Sequence, residues 1–230
     1  MKYLNEIRRE LDTLASQGEK GIGYQPSSDS YADSYNGSYF DGIHLKKNSL
    51  PASYIHENIQ VVYSSNLLRA VETAQAANLY WNVEHIIRPE LREISFGHME
   101  GMDDRDIAVK YRDFKAQQAL MEEDLPYPGG ECAGDVVRRA QPVFREMTES
   151  GYERVAVVTH GGVIRSMTAH YLGIPMNKWR ILGKSLENCS ITELNWDGAS
   201  GRFTLERFND YAHLEPYPEL LRKGWVSAEN

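Results

Sequence analysis

From about residue 60 onward, short apolar runs alternate with longer stretches of helical periodicity. The run at 60–65 predicts a buried strand leading into a helix over 66–78, and Ile86 to Leu91 leads into a loop carrying Glu93. A polar helical insert is expected from Met102 to Glu123, with Ala108, Val109, Tyr111 and Phe114 on its inner face. Pro126 to Gly130 reads as a turn. The stretch Val136 to Met147 then reads as a helix turning Val137, Ala140, Val143 and Phe144 inward. A strand at 154–159 runs into His160-Gly-Gly and a further helical pattern. Two strands, Ser190 to Trp196 and Arg202 to Phe208, flank the turn Asp197-Gly-Ala-Ser-Gly, and an extended surface tail is expected after Tyr211. This alternation predicts a single three-layer α/β domain spanning 1–230. It would have a mostly parallel central sheet flanked by helices, with the last two strands as an antiparallel edge pair.

The front of the chain is less regular. Leu4, Ile7, Leu11 and Leu14 form a helical stripe closed by Gly18, so residues 1–18 are either an outer helix or a displaced first strand. Lys20 to Gln25 is a spare candidate for that strand. Residues 21–41 interleave turn formers with Tyr24, Tyr31, Tyr35 and Tyr39. Such a stretch is either a mobile surface loop or an adaptable lid that contacts ligand through its rings.

Two strand–helix junctions carry the chemistry. One strand ends on His160, where the glycines let the next helix's backbone approach a ligand. The other leads through Ser65 and Asn66 to Arg69, one turn into its helix. Free N–H groups and the partial positive charge of a helix N-terminus suit an anion, and a guanidinium fork suits phosphate or carboxylate. Together the junctions imply a phosphate-sized pocket holding Arg69, Ser65, His160 and Gly161.

Four stretches resemble the histidine phosphatase superfamily, which includes the cofactor-dependent phosphoglycerate mutases. Ser65 to Ala74 is similar to the family's Ser-x-Leu-x-Arg-Ala-x-x-Thr-Ala pattern. Leu91-Arg-Glu93-Ile-Ser-Phe-Gly97-His-Met-Glu100-Gly101 is similar to a second pattern, Pro128-Gly-Gly-Glu131 to a third, and His160-Gly161 to a fourth. The resemblance implies a phosphoglycerate mutase-like fold with the 102–124 insert over the pocket. It also implies anion contact by Arg69, proton donation by Glu93 and a pocket role for His160. One feature departs from the pattern. The family's Arg-His-Gly, whose histidine takes up the phosphoryl group, occurs nowhere in the 230 residues. The nearest stretch in the expected place is Ser16-Gln17-Gly18, and a glutamine cannot carry a phosphoryl group. Asp41-Gly-Ile-His44 resembles a worn form of another family turn.

Three readings follow. In the first, the fold is repurposed to bind a small anionic metabolite between Arg69 and His160. Glu93 and His160 then serve as acid and base, with Gln17 and Tyr39 at the pocket and no phosphohistidine. In the second, the protein is a non-catalytic binding or regulatory relic. In the third, it is a working phosphomonoesterase or mutase with a relocated nucleophile at His44, His98 or His160.

Composition narrows the partners. A net charge of −8 argues against nucleic acid and anionic membranes, while a local basic pocket still allows an anionic ligand. Cys132 and Cys189 give neither a disulfide framework nor metal-ligand spacing, so no metal or cofactor is expected. The acidic positions Glu100, Asp103, Asp104 and Asp106 fit a helix start better than a cation loop, and Glu122 to Asp124 reads as a solvated turn. No apolar run has the length of a signal or a membrane span, which makes a cytoplasmic protein the expectation. The resemblance allows a homodimer, and the sequence fixes no oligomeric state.

Overall fold

The structure is a computed structural model that describes residues 58–184 and 186–221. The expectations for residues 1–18 and 21–41, and for Gln17, Tyr39 and His44, lie outside the described residues.

Strand β1 (Val61–Ser64) is the centre of a parallel sheet of order β2-β1-β3, with β2 at Glu84–Ile87 and β3 at Val155–Val158. Val61 pairs with Glu84 on one side and Val155 on the other, in step to the strand ends. All four β1 residues are buried, as expected of a strand covered on both faces. Val61 and Tyr63 join the main apolar core. Val62 alternates to the opposite face, where helix α1 (Leu68–Trp81) lays the small residues Ala70 and Ala74 against the sheet.

Helix α4 (Ala133–Glu149) buries Ala133, Val136, Val137, Ala140, Val143 and Met147, a stripe with helical spacing. It packs against helix α5 (Gly161–Tyr171), which buries Val163, Met167 and Ala169. Asp124 is half-buried and accepts from Ala133 N at 3.1 Å and Gly134 N at 2.7 Å. It therefore caps α4 rather than sitting in the solvated turn expected of 122–124.

The insert is two helices, α2 (Asp104–Lys110) and α3 (Arg112–Leu120), broken at Tyr111. Ile107, Tyr111, Phe114 and Gln118 point inward, while Ala108 is exposed and Val109 is 82% exposed, against expectation. The inward positions 107, 111, 114 and 118 keep helical spacing through the break, and Ala108 and Val109 fall off that stripe. The acidic run is a helix start as expected: Asp103 Oδ1 accepts from Arg105 N at 2.7 Å.

The hairpin stands apart from the parallel sheet rather than at its edge. Strands β4 (Ile191–Asp197) and β5 (Arg202–Asp210) pair with each other as an antiparallel sheet of their own. Among the described residues they form no edge of the parallel sheet. Aromatic contacts hold the hairpin in place: Phe203 stacks on Trp196 at 4.7 Å and on Tyr171 of α5 at 4.2 Å. The pairing of two strands is a local property, whereas the sheet they join is decided by such tertiary contacts. In the part of the tail that is described, residues 212–221, the chain is not extended surface either. Leu214 is fully buried, and Pro218–Leu220 forms a 3-10 turn.

Candidate active site

Three elements converge at the upper end of the sheet. His160 follows β3 as the residue capping the start of α5, and only 7% of its surface is exposed. Its Nε2 is buried with no hydrogen-bond partner among the described residues. Burial, then the charges of Arg69 and Arg139, push its pKa well below 6.5, so the ring is neutral at neutral pH.

Glu93 stands on the loop after β2. Its Oε1 accepts from Ile94 N and from Gly162 N, both at 2.9 Å, so the carboxylate rests on the first turn of α5. Burial raises the Glu93 pKa, and it outweighs the opposing pull of the Ile94 bond, of Arg69 and Arg165 and of the Gly162 bond. The group is thus biased toward holding a proton, as an acid catalyst requires. Gly162 is needed for this approach, since a Cβ there would lie 2.4 Å from Glu93 Oε1.

Arg69 lies on the first turn of α1, half-buried, and faces Glu93 electrostatically. Burial lowers its pKa while Glu93 raises it, and the guanidinium keeps its charge. Arg69, Glu93, His160 and Gly161 line one cleft of about 1630 Å³, which runs along β3 toward the hairpin. The structure therefore brings four of the expected site residues together. Ser65 is placed differently. It is fully buried beneath the junction, its Oγ accepts from Leu67 N at 3.1 Å, and it does not line the cleft. It shapes the turn that delivers Arg69. His98 is exposed and off the cleft.

Several residues that hold the site were not anticipated. Arg139 on α4 donates to both Glu131 oxygens at 2.8 and 3.0 Å, to Glu93 O at 3.1 Å and to Glu90 O. Glu131 also accepts from Ser95 N at 2.9 Å. The Pro128-Gly-Gly-Glu131 turn is thus a clamp on the Glu93 loop. Gly97, at φ +57°, sits where a Cβ would fall 2.3 Å from Pro128 O. The glycine-rich turn was the available signal, while the arginine partner gave none. His213, after β5, also lines the cleft, and its Nε2 is buried without a partner among the described residues. Among these residues no cluster of His, Cys, Asp or Glu could hold a metal ion, and no helix is long and apolar enough to cross a membrane.

Comparison with known proteins agrees with this geometry. A family model for the histidine phosphatase superfamily (branch 1) matches residues 46–211. A putative phosphoserine phosphatase 2 of Hydrogenobacter thermophilus is 25% identical over 165 residues, covering 71% of this chain and 79% of its own. A glucosyl-3-phosphoglycerate phosphatase of Mycolicibacterium vanbaalenii is 31% identical over 156 residues, covering 62% and 68%. The solved structure of a mycobacterial glucosyl-3-phosphoglycerate phosphatase with inorganic phosphate superposes with a TM-score of 0.62 at 25% identity, covering 75% of this chain and 86% of that one. With its cleft, its glycine-lined helix start and a matched span reaching from Lys46 to Tyr211, this chain belongs to the histidine phosphatase superfamily.

Proposed function

We propose that the protein binds a small phosphate- or carboxylate-bearing metabolite between Arg69 and His160, with Glu93 as the group that gives or takes a proton. The observation that carries this reading is the convergence around one cleft of a charged Arg69, a Glu93 whose pKa burial raises and a neutral His160 whose Nε2 has no partner among the described residues. An incoming oxyanion would accept from the Arg69 fork and the His160 ring, and its charge would raise the His160 pKa. Relatives named as phosphatases of phosphoserine and of glucosyl-3-phosphoglycerate support a phosphate ester as the ligand class. Arg-His-Gly is missing from all 230 residues, so the reading does without a phosphohistidine on that motif.

One observation favours a second reading. A neutral imidazole is also the form in which a histidine attacks phosphorus, and burial keeps His160 neutral with Nε2 free of any described partner. The test is hydrolysis of an aryl phosphate and a panel of phosphate esters, with Arg69→Ala and His160→Ala alongside. Ligand-induced stabilisation without turnover supports the first reading. Turnover lost in both variants, with an acid-labile phosphohistidine, supports the second.

A further inference from the structure

Arg165 stands one turn into α5, and its guanidinium ties that helix to a distant stretch of chain. Nε donates to Gly161 O at 3.2 Å, and Nη1 donates to Gly183 O at 2.9 Å and to Lys184 O at 3.1 Å. The guanidinium carbon lies over the Trp179 ring, 4.6 Å from its centre. Trp179 is buried and carries Arg180 as well, at 4.4 Å, so the ring is a fixed platform. Three carbonyls held from one planar fork that rests on an aromatic ring is an arrangement a lysine ammonium does not reproduce.

The turn that Arg165 grips is the one on which Glu93 rests. Gly162 N donates to Glu93 Oε1 at 2.9 Å, and His160 caps the same helix start. On the other side of the clamp the chain runs on to Leu186, whose Cγ lies 4.0 Å from where a Cβ on Gly161 would be. Lys184 and Leu186 line the cleft with Glu93 and His160. The clamp therefore sets the geometry of one wall of the site.

Charge is the second link. The groups facing Glu93 are Arg69 from α1, Arg165 and the neutral His160 from α5, and Arg139 of α4, which donates to the Glu93 backbone oxygen at 3.1 Å. Arg69 and Arg165 both pull the carboxyl toward its ionised form, against burial. The carbonyls that Arg165 holds carry no net charge, so those bonds leave its positive charge in place.

We propose that Arg165 is a positioning residue for the proton-transfer group: its fork holds the first turn of α5 and the 183–184 stretch in one arrangement, and its charge favours release of the Glu93 proton. This rests on the role given to Glu93 in the proposed function. Arg165 acts through Glu93 and the helix turn rather than on the ligand.

The experiment is carbon-13 NMR of the full chain with glutamate labelled at the side-chain carboxyl, which follows the Glu93 titration directly, Glu93→Gln identifying its resonance. Arg165→Gln and Arg165→Met each remove charge and fork, whereas Arg165→Lys keeps the charge alone. Loss of a nearby positive charge disfavours the carboxylate, so the Glu93 midpoint should move upward in the Gln and Met variants and stay near the wild-type position in Arg165→Lys. Backbone order at Gly183 and Lys184, read from nitrogen-15 relaxation, should fall in all three. A midpoint unmoved without the charge, a midpoint moved equally in Arg165→Lys, or unchanged order at 183–184 overturns the proposal while leaving Glu93 its role. A wild-type Glu93 that titrates in the ordinary carboxylate range overturns the role of Glu93 and that of Arg165 together.

Discussion

Replacing Arg139 by methionine tests how the Glu93 loop is held. The substitution keeps an apolar stem of similar length and removes the guanidinium. Arg139 and Glu131 are each only 16% exposed and bond through two parallel contacts at 2.8 and 3.0 Å. Loss of one partner strands the Glu131 carboxylate and two loop carbonyls, at Glu90 and Glu93. Breaking a buried pair in this way costs about 3–5 kcal/mol. At about 2–4 °C per kcal/mol for a domain of this size, the melting temperature should fall by about 6–20 °C. Thermal and urea unfolding of the single variants and of Arg139→Met with Glu131→Met complete a double-mutant cycle. The double variant should be less destabilised than the singles predict, with a coupling of about 1–3 kcal/mol. Acid offers a second readout. Burial alone would push the Glu131 carboxyl up, but Arg139 and the Ser95 N–H hold it below its ordinary value. Its contribution is therefore present above the unfolded carboxylate pKa and is lost as pH falls through the lowered one. A single variant that loses under about 1 kcal/mol, the worth of an exposed pair, would refute the clamp.

Gly162→Ala puts a methyl 2.4 Å from Glu93 Oε1 and 2.5 Å from Ile94 Cγ2. Overpacking and a lost carboxylate bond outweigh the helix preference of alanine, for a net loss of about 2–5 kcal/mol in chemical unfolding. Burial raises the Glu93 pKa, so its native form binds protons that the unfolded chain has released, and stability falls as pH rises between the two values. Glu93→Gln should flatten that slope without destabilising the protein at neutral pH, as urea midpoints across pH would show. The depressed His160 pKa has the opposite sign: its stability is present above about 6.5, the ordinary histidine value, and is lost on acidification below it. Phosphate should then bind with proton uptake at His160, visible as a buffer-dependent binding enthalpy that vanishes in His160→Asn.

The parts of this site legible in the sequence are those fixed by backbone geometry. His160 at a strand end before two glycines, and Arg69 one turn into a helix, follow from local pattern, and both line the cleft. Glu93 came from its motif, because nothing local to a loop glutamate says that it will lie on the N-terminus of a distant helix. Arg139 and Arg165 sit on helical segments with ordinary neighbours, and only packing against Glu131 or Trp179 distinguishes them. The inner face of the insert follows the 107-111-114-118 stripe, and apolar character alone made Ala108 and Val109 look inward although they lie off it. Ser65 shows the converse: a residue in the right motif can serve the turn rather than the ligand.

In the proposed function, Arg69 and His160 hold a phosphate ester without passing its phosphoryl group to the protein. Phosphorus NMR of the purified chain with a simple phosphate ester observes binding, hydrolysis and protein-bound phosphorus in one sample. A saturable shift of the ester signal is expected, removed by Arg69→Ala and by His160→Ala, with free phosphate no higher than in those variants. Free phosphate that accumulates with wild type and is abolished in both variants, or a protein-linked signal at histidine, would contradict it.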